Sequence, residues 1–292
     1  MKSYVQSRAN TDELLSECQS VITTKEPAAD DDGTTDWRNR PLHGTYHRQI
    51  SEVCDAEKTY QWLKKCNLTA NTEALILAAQ EQALPTRQIQ TQIYHIRTDA
   101  SCRLCKQAPE SIQHIISGCK QLAGSAYTER HNHVAGMVYR SLCAQYDLSQ
   151  PHYWWEIPDK VNENDQVKIL WDFYIQTDKH VLANQPDIVV VDKSDKRAII
   201  IDIAVPNDCN IEKKEKEKVE KYQPLREELE KCWKVKATVV PVVIGALGAV
   251  TPAHSMWLDQ IPGNVETSQL QKSVLLGTGK IMRRVLKLPG LW

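Results

Sequence analysis

The chain has 292 residues with 36 lysines and arginines against 37 aspartates and glutamates, a formal net charge of -1, so any grip on a polyanion must come from local clusters and not from a global field. That length allows one or two domains with a sizeable core. No apolar core follows Met1 and the longest apolar run covers 239–250, short of the roughly 20 residues of a spanning helix, so secretion and membrane insertion are not expected.

In chain order, residues 1–40 carry Asp30, Asp31, Asp32 and Gly33 among small polar residues and read as a disordered lead-in, because they cannot offset the entropy of ordering. Between 52 and 84 the pattern turns helical. Tyr60, Trp62 and Leu63 recur at helical offsets, and Leu75, Ile76, Ala79 and Ala83 follow a cap at Asn71, which predicts two helices. The stretch 88–96 suits a helix or a strand equally. After a cysteine-rich segment at 100–120, a helix is predicted over 127–146. A proline-flanked aromatic linker follows at 151–158, with Trp154 and Trp155 adjacent. Then come a helix around 167–175, two strands, a lysine-rich helix, a strand at 239–247 and a helix at 272–286. Trp154, Trp155 and Trp171 read as core or interface anchors, core before interface.

Nine cysteines are present; Cys18, Cys54, Cys66, Cys143, Cys209 and Cys232 stand singly, as in a reducing compartment such as nucleus or cytosol. The other three form the pattern Cys102-x2-Cys105-x8-His114-x4-Cys119. Two thiolates two residues apart can close on a tetrahedral ion from one turn, and the His and third Cys complete the shell, so the spacing predicts a structural Zn2+ knuckle. Arg103, Lys106 and Gly118 suit a tight exposed turn. His131 and His133, close by, read as ordinary core or surface histidines.

Residues 188–191 and 198–205 are nearly continuous apolar runs, the mark of strands buried on both faces, joined by the turn Lys193-Ser194-Asp195-Lys196. If that turn is symmetric, residues whose numbers sum to 389 face each other, which sets Asp187 opposite Asp202. Facing like charges destabilise a sheet unless compensated. A Mg2+ or Mn2+ ion would compensate them, and could activate water for attack on a phosphate. A shift of one residue would put the two aspartates on opposite faces.

On a helical wheel of the lysine-rich stretch, Ile211, Val219, Tyr222, Leu229 and Trp233 gather on one side with Lys218 among them. Lys221 lies at the stripe's edge, and Lys213 and Lys216 point away. Lys218, slightly ahead of Lys221, is therefore the candidate to reach the carboxylates. Pro224 weakens this geometry, since a proline can break the helix after Tyr222.

With these residues in place, the chain resembles the C-terminal portion of the polyprotein of non-long-terminal-repeat retrotransposons of the site-specific class that carries a restriction-like endonuclease. The resemblance covers 41–292. It rests on Pro41-Leu42-His43-Gly44, Trp62-Leu63, Thr72-Glu73-Ala74 with Ala78-Ala79-Gln80, the knuckle, Arg130-His131-Asn132, Trp171-Asp172-Phe173, Pro186-Asp187, Asp202 with Val205-Pro206 and Asp208, Glu217-Lys218 with Lys221-Tyr222, and 243–248. It implies an α/β fold of the PD-(D/E)xK kind, a mixed sheet flanked by helices. It implies a helical linker at 41–99, a CCHC knuckle with its following helix at 100–150, an endonuclease core at 151–250 and a helical tail at 251–292.

The implied activity is Mg2+- or Mn2+-dependent nicking of a DNA target for target-primed reverse transcription, in the nucleus, with the knuckle handling DNA or the element's RNA. Asp187 and Asp202 would bind the ion, Lys218 or Lys221 would polarise phosphate or water, and Tyr222 would support that lysine. Ala204 occupies the slot of the motif's usual lysine, matching a variant in which the lysine moves to the next helix, and Gln185 stands where a basic residue is usual. No Tyr-x-Asp-Asp polymerase signature occurs, so the expectation is a fragment, a truncated copy or a host-adopted remnant. The rival expectation is a non-catalytic nucleic-acid-binding or assembly module with vestigial aspartates. A weaker one is a zinc domain that docks a protein partner.

Overall fold

Five strands form one mixed sheet in the computed structural model, which describes residues 39–153 and 155–288. The expected lead-in, save its last two residues, and Trp154 lie outside the described residues. Strand order follows the sequence: β1 (Val161–Glu163), β2 (Val167–Trp171), β3 (Ile188–Asp192) and β4 (Arg197–Ala204) are antiparallel neighbours, and β5 (Lys236–Val243) pairs parallel with β4. A parallel neighbour needs a crossover, here the long helix Ile211–Trp233. Pro241 is tolerated because β5 is an edge that, among the described residues, pairs only with β4.

Among the helices before the sheet's crossover helix are α1 (Thr45–Ile50), α2 (Ala56–Tyr60), α3 (Trp62–Lys65), α4 (Ala70–Gln80), α5 (Arg87–Gln92) and α6 (Thr128–Gln145), besides short turns around the cysteine segment. The crossover is α7, followed by α8 (His254–Leu258) and α9 (Thr267–Leu286). Among the described residues no helix is long and apolar enough to cross a membrane.

The expected helix around 167–175 is instead β2. Val167, Ile169 and Trp171 pack into one core and Leu170 into the opposite one, the period-two alternation of a strand, which a short apolar run does not reveal by itself. The stretch 88–96 resolves as helix α5 only as far as Gln92, and 93–96 are irregular. The helix expected to start from a cap at Asn71 starts two residues earlier, with Thr69 as the extended N-cap residue. Pro224 does not break α7, which runs on to Trp233; its ring lies on an exposed face.

One face of the sheet, through Val190, Ile199, Ile201 and Val240, packs on Val134, Val138 and Leu142 of α6 and Leu270 and Val274 of α9. The other face, through Val189, Ala198, Ile200 and Val239, packs on Tyr222, Leu225 and Leu229 of α7. A third core joins α1, α3 and α4, the cysteine segment and the C-terminal half of α9. Arg130 bridges this core to the sheet: it is buried, and its guanidinium donates to Thr278 Oγ1 (2.8 Å), Ile116 O (2.9 Å) and Val205 O (3.4 Å). After β5, Asp208 holds the turn 245–249 by accepting from Leu247 N and Ala249 N at 3.0 Å each. Gly245 is required there, because a Cβ would lie 2.3 Å from the Asp208 carboxylate.

Candidate functional site

The cysteine segment folds as a tight turn and a short return. Cys102 N donates to Ala108 O (2.8 Å) and Lys106 N to Cys102 O (3.0 Å), with Lys106 in a left-handed conformation (φ 57°) that turns the chain between the first thiols and the return. His114 begins a widened helical turn, His114–Gly118, whose first amide is capped by Ser111 Oγ (3.1 Å). Tyr127 OH then pins the end, donating to Ile115 O (2.7 Å) and accepting from Cys119 N (3.1 Å).

The result is one cluster. Cys102, Cys105, His114 and Cys119 each offer a ligand atom within 4.8 Å of the others, a Cys3His group that could hold a metal ion. Cys102 Sγ lies 3.9 Å from Cys119 Sγ, and Cys105 Sγ lies 3.3 Å from His114 Nε2. His131 and His133 are not in it.

Arg103 departs from the expected exposed turn. It makes a bidentate pair with the fully buried Glu110 (2.8 and 2.6 Å), and its other nitrogen donates to Val285 O (3.0 Å) at the end of α9. Burial opposes the Glu110 charge, yet the hydrogen bonds from Arg103 and from the Arg103 and Arg87 amides hold its carboxyl below the ordinary value. The segment is thus packed into the helical core from both sides; Lys106 remains exposed.

The second site lies where the strands end. The β3–β4 register pairs Ile188 with Ile201 and Val189 with Ile200, which is the expected sum of 389. The turn is set by Asp192, whose carboxylate accepts from Ser194 N and Asp195 N (2.9 Å each), with Lys196 left-handed (φ 51°). Asp202 follows Ala198 and Ile200 on the α7 face and is buried at 2% exposure. Its two oxygens meet α7: Lys218 ion-pairs with Oδ2, and Tyr222, one turn on, donates to Oδ1 at 2.7 Å. Lys221 reaches the same phenol rather than the carboxylate, with Nζ 2.8 Å from Tyr222 OH. Burial and then the Asp202 charge push the phenol's pKa far above its ordinary value, so Tyr222 remains a donor.

Asp187 sits one residue beyond the last paired rung. Its Oδ2 accepts from Ile203 N (2.6 Å) and pairs with His131 Nε2 (3.1 Å) from α6. Its direct helix contact is thus with α6, while its charge also acts on the Tyr222 phenol of α7; its side chain remains 22% exposed where that of Asp202 is 4%. Burial lowers the His131 pKa, but the Asp187 hydrogen bond and charge, helped by Asn132 and Asp202, outweigh it and raise the pKa to about 8. Gln185 donates to Asp172 Oδ1 (2.8 Å), and its carbonyl accepts from Tyr222 OH (3.4 Å).

Asp187, Asp202, Lys218, Lys221 and Tyr222 thus gather at one end of the sheet, joined by His131. Residues 131, 134, 138 and 142 share one side of α6, so the inward lean of His131 was open to a wheel argument; its partner across 56 residues was not. Trp233, placed on the inward stripe, is instead 37% exposed at the end of α7. Trp171 is core and Trp155 is exposed. No protein-family model matches this chain, and no curated protein matches its sequence.

Proposed function

We propose that this chain is a metal-dependent DNA endonuclease with a PD-(D/E)xK-like core, the C-terminal part of a retrotransposon protein of the site-specific non-long-terminal-repeat class. The observation that carries the reading is the convergence on one strand end of Asp187, Asp202 and an inward Lys218 from the following helix. Asp187 and Asp202 would hold Mg2+ or Mn2+, a fit suggested by two carboxylates of which one is part-exposed. The bound ion would supply charge neutralisation at the phosphate and a more acidic water. Lys218 ion-pairs with Asp202 and, once DNA lies in the site, offers its ammonium to a phosphate oxygen. Tyr222 fixes the orientation of Asp202, and Lys221 fixes Tyr222. Hydrolysis that leaves a 3′-hydroxyl would supply a primer for a polymerase, the use that the resemblance implies in the nucleus.

For the cluster we propose Zn2+. Thiolate and imidazole at 2.0–2.3 Å from a tetrahedral ion stand about 3.5–3.8 Å apart, close to the 3.9 and 3.3 Å found. With Cys102 and Cys119 set in the helical core and Cys105 and His114 at its part-exposed edge, this ion would be structural, positioning the linker beside nucleic acid.

A second reading, a non-catalytic nucleic-acid-binding module, is favoured by one observation: both Asp202 oxygens are already partnered by Lys218 and Tyr222. Nicking of supercoiled DNA in Mg2+ and Mn2+ by the parent, Asp187→Ala and Asp202→Ala separates the two. The nuclease reading expects cutting by the parent alone; equal products from all three would sink it.

A further inference from the structure

A second place in the molecule has the chemistry of a nucleic-acid contact, at the opposite end of the sheet from the aspartates. A cleft of about 580 Å³ opens where α7 ends against the β3–β4 turn, lined by Trp233, Lys168, Lys193, Lys196, Lys234 and Asp192 among others. In a chain whose net charge is -1, this is a local concentration of four ammonium groups against one carboxylate. Asp192 is occupied with the turn amides. Lys168 and Lys193 share the half-exposed Glu163 at 3.4 and 3.0 Å, whereas Lys196 and Lys234 have no carboxylate partner among the described residues.

Trp233 gives the cleft its second property. It is the last residue of α7, 37% exposed, while Leu225 and Leu229 of the same helix are buried. An indole beside unpaired ammonium groups suits a chain of phosphates carrying flat bases. Base stacking on an aromatic ring is sequence-tolerant, and lysines follow the backbone. A duplex hides its base faces, so the ring favours unpaired bases.

We propose that this cleft binds a single-stranded polynucleotide, with a base stacked on Trp233 and phosphates held by Lys196 and Lys234. At about 1.5 Å per helical residue, it lies roughly 22 Å along α7 from Lys218. The cleft would therefore hold a strand at a distance from the aspartates and not in their site. The proposal stands on the cleft's own charge and aromatic ring and does not depend on cutting.

Fluorescence anisotropy with labelled oligo-dT and oligo-U, measured without divalent cations, tests binding separately from cleavage. Binding of either oligomer is expected, weakened about 10-fold by Trp233→Ala and largely retained in Trp233→Phe. The double variant Lys196→Ala/Lys234→Ala is expected to bind more weakly and to flatten the salt dependence by about 0.7 per lysine. Preference for one oligomer would name DNA or RNA as the natural strand. The proposal is overturned if neither oligomer binds, if Trp233→Ala and the double lysine variant both bind within 2-fold of the parent, or if duplex DNA or polyglutamate competes as well as the unlabelled oligomer. Should Trp233→Ala fail to fold, the Trp233→Phe and double lysine variants still decide it, because their side chains are exposed at the rim.

Discussion

The cysteine cluster and the aspartate site differ in how far along the chain their parts come from. The four Cys and His side chains of the cluster lie within residues 102–119 and converge through one turn and one return. The aspartate site draws His131 from α6, Asp187 from the start of β3, Asp202 from β4 and Lys218 and Tyr222 from α7. The local site has few ways to assemble, whereas the distributed one depends on a strand register, a helix rotation and the packing of helices on both sheet faces. The cluster should accordingly behave as a fold element and the aspartates as a replaceable addition to a finished fold.

Removing the proposed Zn2+ should give the largest effect. Zinc in closed cysteine–histidine sites contributes folding free energy on the order of 10 kcal/mol, and here Cys102 and Cys119 sit in the same core as Trp62, Ile76 and Met282. Chelation, or Cys102→Ser, is expected to melt the helical half, seen as a loss of ellipticity and a collapse in the melting temperature. Elemental analysis of the parent should return about one zinc per chain. A metal-free protein with an unchanged melt would remove the distinction between the two regions.

Next in size is Arg103→Ala. It strands the Glu110 carboxylate, fully buried beside the cluster, and breaking a buried pair from one side costs about 3–5 kcal/mol. Urea unfolding should show that loss. Replacing Lys216, whose partner Glu212 lies on an exposed helix face, should change stability by less than about 1 kcal/mol.

The pH dependence sharpens the comparison from the sheet side. His254, fully buried at the start of α8, has its pKa lowered to about 4, chiefly by burial. Unfolded histidine titrates near 6.5, so between these values the unfolded chain binds the extra proton. The contribution of His254 is full above about pH 6.5 and is lost as the pH falls towards 4. His254→Leu should remove this part of the acid slope, read as the difference between two melting-temperature profiles; parallel profiles would contradict it.

The same contrast explains what the sequence made legible. Cysteine spacing located the cluster because the ligands are local. The register also came through, since apolar runs on both sides of a four-residue turn leave little freedom and Asp192 fixes the turn. The inward Lys218 followed from the wheel. β2 did not, because four apolar residues in a run of five fit a helix or a strand until their neighbours are known. Neither the His131–Asp187 contact nor the reach of Arg103 to Val285 across 182 residues leaves a trace in local pattern. Trp233 misled the wheel: it lies at the helix end, beyond the part of α7 that the sheet covers.

The central claim, that the sheet's end cuts DNA with Asp187 and Asp202 as its metal-holding pair, is tested most directly by single-turnover nicking of supercoiled DNA in Mg2+ by the parent and Asp202→Asn, with zinc content and melting temperature measured on the same samples. The expected result is a loss of roughly 100-fold or more in rate, with about one zinc per chain and a cooperative melt in both proteins, lower in Asp202→Asn because Lys218 loses its buried partner. Equal rates, or no cutting by a folded, zinc-loaded parent in either Mg2+ or Mn2+, would contradict it.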